Sequence, residues 1–367
     1  MNEEEYIEPI ESEETETESF NRDLKLAEQG DVEAQLRVGL AYHDGVGIEE
    51  NKNEAVSWYR KAAEQGFAPA QLLLAFAYDD GVGVEENKKE AVNWFYKAAE
   101  QEDDNAQFAL GCTYQSGDGV EKNMQEAVSW WTLAAKQGNV DAQYCLGKAY
   151  FFGDGVEEDK ELAANWCRKA AEQGEADAQC FLGRCYAFGD GVAENAEEAA
   201  RWFKKAAEQG DAEAQFYLGR SYYCGQGVEK NKEEALKWNR KAAEQGIPEA
   251  QYNLGLSYFY GEDVVEDAEI AVFWWKRAAE QGDDSAQNNL GHSYEHGIGF
   301  EKNETEAVKY YRMAAKQGNA TAMYSLGEAY ENGMGVKINK QEALRWYNLA
   351  AEHEDEDAIE KLKSLNG

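Results

Sequence analysis

Basic residues are scarce in this chain: 36 Lys and Arg stand against 72 Asp and Glu, a formal net charge of −36. That imbalance repels the phosphate backbone of DNA or RNA and disfavours anionic lipid surfaces, so neither nucleic acid nor a membrane is expected as a partner. On the simplest reading the acidity only solvates the surface; on a functional one it draws a basic partner to the outside of the molecule. No stretch of 18 apolar residues occurs, and the opening MNEEEYIEPIESEETETESF has neither the basic n-region nor the apolar h-region of a signal peptide. A cytoplasmic location is therefore expected. The six cysteines (Cys112, Cys145, Cys167, Cys180, Cys185 and Cys224) form no CxxC spacing and read as reduced, small core residues, which excludes a disulfide or zinc framework. Only four histidines are present, and no Ser/His/Asp or Cys/His signature stands out, so no cofactor and no catalytic residues are expected.

What the chain has in abundance is repetition. The string AEQG, or a close variant, ends at Gly30, Gly66, Glu102, Gly138, Gly174, Gly210, Gly246, Gly282, Gly318 and Glu354, always 36 residues apart. Tyrosine keeps the same clock from Tyr42 to Tyr330, and tryptophan from Trp58 to Trp346 with Tyr310 as the one substitute. Aromatics at such positions of a helical pattern read as core. In the first unit, Asp31 caps a helix whose Ala34, Val38, Ala41 and Tyr42 share one face, leaving positions 33, 36, 37, 40, 43 and 44 on the other. Pro69 and Pro248 fall in the first turn of the corresponding helices, where a missing N–H costs nothing. Gly45-Val46-Gly47 ends the helix, and eight such turns on the 36-residue clock, with no preceding strand, read as turn chemistry rather than as a phosphate cradle. The seventh unit carries Gly261-Glu262-Asp263-Val264 instead, so a different turn is expected there. A second helix follows Asn51, with Asn51 and Glu54 in a capping-box spacing and Ala55, Trp58, Tyr59, Ala62 and Ala63 as the buried stripe.

These residues carry a resemblance. A-x-x-x-L-G-x-x-Y, then G-x-G-V, then N-x-x-E-A-x-x-W-[YF]-x-K-A-A-x-x-G is similar to the Sel-1-like repeat, a relative of the tetratricopeptide repeat, over nearly the whole chain. The resemblance implies an all-α fold, a right-handed α/α superhelical solenoid of helix–turn–helix repeats whose first helices line a concave face. It implies, too, adaptor or scaffold roles in multiprotein assemblies, in settings such as quality control and signalling. One branch of the family, the Helicobacter cysteine-rich proteins, carries a cysteine pair in every repeat and is linked to β-lactam binding; those pairs are absent here. The organisation expected is an acidic disordered tail at 1–20, an N-terminal cap half-repeat at 21–30, nine 36-residue repeats over 31–354 and a C-terminal cap helix at 355–367.

A partner site is expected where the outward columns depart from regularity. Position 40 turns basic in three consecutive units, at Lys148, Arg184 and Arg220, and positions 43 and 44 turn aromatic nearby, at Phe151, Phe152, Phe188, Tyr223, Phe259 and Tyr260. A groove of this chemistry suits an acidic or carboxylate-ended peptide with bulky apolar side chains. The competing reading is that the bases answer Asp141, Asp177 and Glu213 two turns earlier and that the aromatics pack between repeats. One enzyme-like string, His292-Ser293-Tyr294-Glu295-His296, matches the H-x-x-E-H of inverted zinc peptidases. Tyr294 is the repeat tyrosine, however, and no motif supplies the further acidic ligand, so the match reads as coincidence. The alternatives to a protein-interaction scaffold are a hydrolase or small-molecule binder, zinc-dependent or β-lactam-binding, and a consensus-like scaffold with no native partner.

Overall fold

The computed structural model describes residues 15–366, in which helices and tight turns alternate and no strand is found. Among these residues the helices run from Glu16–Glu28 to Glu356–Asn366 and are 11 to 14 residues long. The chain divides into two compact units, Met1–Ala178 and Gln179–Gly367. Within each unit consecutive helices pack as hairpins, and each hairpin packs on the next, which is the all-α repeat architecture expected.

The first residues correct one boundary. Within the stretch 1–20 expected to be a disordered tail, residues 16–20 are helical: Thr15 caps the helix Glu16–Glu28 in a reciprocal capping box with Glu18. Phe20, assigned to that tail, is buried with its ring edge-on to Tyr42 at 5.4 Å, so one apolar anchor and one cap hold the helix in place. The rest of the tail lies outside the described residues.

Helix starts follow the sequence closely. Asp31 Oδ1 accepts the Ala34 N–H at 2.7 Å and Asn51 Oδ1 accepts the Glu54 N–H at 3.2 Å. The return bond expected from Glu54 is not made, because the Asn51 N–H already donates to the Tyr42 carbonyl at 2.8 Å, as does Asn87 to Tyr78 and Asn339 to Tyr330. The irregular seventh turn is also corrected. Asp263 takes the left-handed conformation, φ 60°, that Gly47 takes at φ 72° in the first repeat, a conformation aspartate tolerates better than most residues. The cysteines need one amendment too: Cys167, Cys180 and Cys185 are buried, Cys112 and Cys145 half-buried, but Cys224 is exposed.

Two devices set the spacing of the helices. First, the glycine of L-G is a contact surface. A Cβ built on Gly39 would lie 2.6 Å from the Tyr59 ring, on Gly111 2.4 Å from Trp131, on Gly255 2.5 Å from Trp275 and on Gly327 2.4 Å from Tyr347. The second helix thus lays an aromatic ring flat on bare backbone of the first. Second, a buried glutamine ties three helices together. Gln251 Nε2 donates to the Ala243 carbonyl at the end of the preceding helix (3.0 Å), while its Oε1 accepts from Gln281 Nε2 at the end of the following one (2.9 Å). The same pair of bonds recurs at Gln35/Gln65, Gln71/Gln101, Gln107/Gln137, Gln143/Gln173, Gln215/Gln245 and Gln287/Gln317. A side-chain amide can satisfy such buried groups because it carries both donor and acceptor. These packed neighbours also draw in positions assigned to the open face: Leu36 and Leu72 pack against the core, and Cys180 and Phe181 are buried.

Two expectations follow. Gln251→Leu removes the bond to the Ala243 carbonyl, which keeps the Gly246 N–H at 3.1 Å, together with the bond from Gln281, and lowers stability by about 1–3 kcal/mol, read as a fall in the guanidinium unfolding midpoint. Gly255→Ala drives a methyl into Trp275 and costs roughly 1–3 kcal/mol, although alanine is the better helix former by about 1 kcal/mol. Gly219→Ala, which meets no ring, costs less than Gly255→Ala; equal losses in the two variants would show that the rings do not set the spacing.

Candidate functional site

The residues expected to form one groove fall in both units. Lys148, Phe151 and Phe152 belong to the first; Arg184, Phe188, Arg220, Tyr223, Phe259 and Tyr260 belong to the second. In the first unit the exposed Lys148 places its ammonium 5.3 Å from the Tyr144 ring, and Phe151 meets Phe152 edge-to-face at 5.0 Å. In the second unit Arg184 is half-buried and engages Glu213, Nη1 to Oε1 3.0 Å, with its guanidinium 6.0 Å from the Tyr217 ring. The partner of Arg184 is thus the glutamate of the next repeat and not Asp177 on its own helix. Lys148 and Arg220 form no ion pair with any described residue.

The aromatics divide by column. Position 44 is presented outward: Phe152, Phe188 and Tyr260 are each more than half exposed, as is Tyr223 at position 43. Phe151 and Phe259 are half-buried, and Phe259 leans on Trp275 at 5.2 Å. Burial pushes the Tyr217 hydroxyl above the usual tyrosine range, with Arg184 and Arg220 acting in the opposite sense.

The histidine pair does not assemble a metal centre. The His292 and His296 rings stack at 4.3 Å, and His296 Nδ1 sits 3.0 Å from the His292 carbonyl oxygen. The Glu295 carboxylate, which the motif would need, accepts the Tyr311 hydroxyl at 2.7 Å instead. Partial burial, then the neighbouring His296, lowers the His292 pKa and favours the neutral ring. Among the described residues no group of three or more His, Cys, Asp or Glu side chains is placed to hold a metal.

A cavity of about 210 Å³ opens beside Arg220 and Tyr223, between the second helix of repeat six and the first helix of repeat seven. Leu236 and Leu256 give it apolar walls, and Asn239 and Asn253 add carboxamides. Lys232 and Asp263 stand at its edge with Nζ and Oδ2 3.8 Å apart. Sequence reasoning reached Arg220 and Tyr223 but missed Asn239, Asn253 and Asp263. The signal was present: Trp238-Asn239 breaks the W-[YF] pair, and Asp263 alone replaces the second turn glycine.

The Sel1 repeat family model matches nine consecutive windows, from residues 32–67 through 320–355. Among solved structures, the chain is similar to c5321, a protective antigen of uropathogenic Escherichia coli with an SLR fold. The two share 40% identity at a TM-score of 0.86 over 93% of this chain and 73% of that one. A Sel1 repeat protein from Oxalobacter formigenes is 32% identical at a TM-score of 0.65, covering 89% of this chain and 97% of its own. No curated protein matches significantly. With its glycine–ring contacts, glutamine pairs and capped hairpins repeating in register with those windows, the chain belongs to the Sel1 repeat family.

Proposed function

We propose that this Sel1 repeat protein is a non-catalytic scaffold that holds a peptide segment of a partner protein on the variable columns of its first helices. The observation that carries this reading is the contrast between columns. Gln35, Gly39 and their equivalents keep the hairpins in register, whereas position 40 runs through Leu40, Phe76, Cys112, Lys148, Arg184, Arg220, Leu256, His292 and Glu328. Variation confined to side chains that the framework does not need is what a recognition surface requires. In the second unit, Arg220 without an ionic partner lines one cavity with the exposed Tyr223, which favours a segment with a carboxylate and bulky side chains. The thiol of Cys224, exposed at the surface, accords with a cytoplasmic setting.

Charge reversal at two bases that have no ionic partner tests the reading. Lys148→Glu/Arg220→Glu, compared with the parent chain in quantitative affinity capture, lowers recovery of specific partners at least tenfold and leaves the unfolding midpoint unchanged. Equal recovery by the two chains would remove the bases from recognition.

A further inference from the structure

Each repeat brings a second-helix residue against the backbone of its first helix at the L-G position. That residue is Tyr59, Trp131, Phe203, Trp275, Tyr311 or Tyr347 in six repeats, Phe95 in the second, where Ala75 stands in place of the glycine, Cys167 in the fourth and Asn239 in the sixth. At Gly147 the sulfur of Cys167 reaches the glycine, and a Cβ there would lie 2.3 Å from it. At Gly219 no side chain does: the nearest atoms are the Ala235 carbonyl oxygen and the Asn239 backbone nitrogen, each at 3.2 Å. The sixth repeat is therefore a hairpin without its ring, and the cavity of about 210 Å³ lies beside that gap.

We infer that this cavity is a receptor for an aromatic side chain of a partner peptide, whose ring takes the place that Phe203 and Trp275 occupy in the adjoining repeats. The inference rests on the peptide-scaffold reading and gives it an address. Three features fix the chemistry of the guest. The volume is below the roughly 300–1,000 Å³ of pockets that enclose drug-sized ligands, so a single side chain is the fitting size. Leu236 and Leu256 offer apolar walls to the ring, while the side-chain amides of Asn239 and Asn253 have no hydrogen-bond partner among the described residues and are available to a polar ring edge such as a tyrosine hydroxyl. Lys232 and Asp263 offset each other, which leaves Arg220 as the cation without an ionic partner; a carboxylate next to the aromatic residue would meet it. The repeat thus presents the guest with a socket whose own plug has been replaced by a carboxamide.

The test uses the full chain with methyl-labelled leucine and the peptide acetyl-Gly-Tyr-Glu-amide. The peptide shifts the Leu236 and Leu256 methyl resonances saturably, whereas acetyl-Gly-Ala-Glu-amide, which lacks the ring, binds at least tenfold more weakly. Asn239→Phe refills the socket and abolishes the shifts without lowering the unfolding midpoint. Arg220→Gln, on an exposed position, weakens Gly-Tyr-Glu to the level of Gly-Tyr-Gln and leaves the latter unchanged. Absence of saturable shifts in the parent chain, or Asn239→Phe binding the peptide as the parent does, overturns the inference. No partner protein enters the assay, so its failure is distinct from retention of partners in the capture experiment above.

Discussion

The distance between the two helices of a hairpin is the constraint on which the rest of the molecule depends. A ring lying on a glycine lets the helices approach until side chain meets backbone, and at Gly39, Gly111, Gly183, Gly255, Gly291 and Gly327 an added methyl would meet the ring, whereas the second hairpin carries Ala75 at this position. With the spacing set, the alanine-rich stripe of the second helix closes completely, Ala55, Ala62, Ala91 and Ala98 among them. The glutamine pairs can then reach, because their bonds of 2.8 to 3.2 Å connect three helices at once and tolerate little change in separation. Contact and ladder reinforce each other: the apolar contact brings the amides within range, and the amides fix the register in which the contact is made.

Most of this framework was legible as spacing. Asp31 and Asn51 announced their helices, and the tyrosine and tryptophan columns announced buried faces, since a period of 36 residues repeats the same physical requirement nine times. What escaped was whatever depends on a second segment for its meaning. Gln35 reads as a polar helix residue until Ala27 and Gln65 are seen around it, and Glu54 reads as half of a capping box until Tyr42 is seen to have taken the Asn51 N–H. Phe20 was hidden by the glutamates that precede it. At Asp263 the change of residue suggested a change of turn, yet the backbone conformation was retained, because the adjoining hairpin dictates the turn more strongly than one side chain does.

The candidate site was legible only in part, for a related reason. Variable outward columns identify where recognition is permitted, and they picked out Arg220 and Tyr223. They do not show that Arg184 is engaged by Glu213 of the following repeat, nor that Phe259 leans on Trp275 of the other helix of its own hairpin, since each contact comes from a second segment. Asn239 sits in a column that reads as core, where a polar residue looks like a tolerated blemish. Its effect is on the space it fails to fill.

Every bond of the glutamine ladder spans a fixed number of residues, such as the 8 from Ala243 to Gln251 and the 30 from Gln251 to Gln281, and so refers only to neighbouring hairpins. A whole 36-residue repeat could be gained or lost without leaving any rung unpaired, so the length of such a chain is free to drift. The cavity obeys a different grammar. Asn239 comes from repeat six, while Asn253 and Asp263 come from repeat seven, so copying either repeat alone would not copy the cavity. The site belongs to a junction, and it is heritable only as a pair of adjacent repeats.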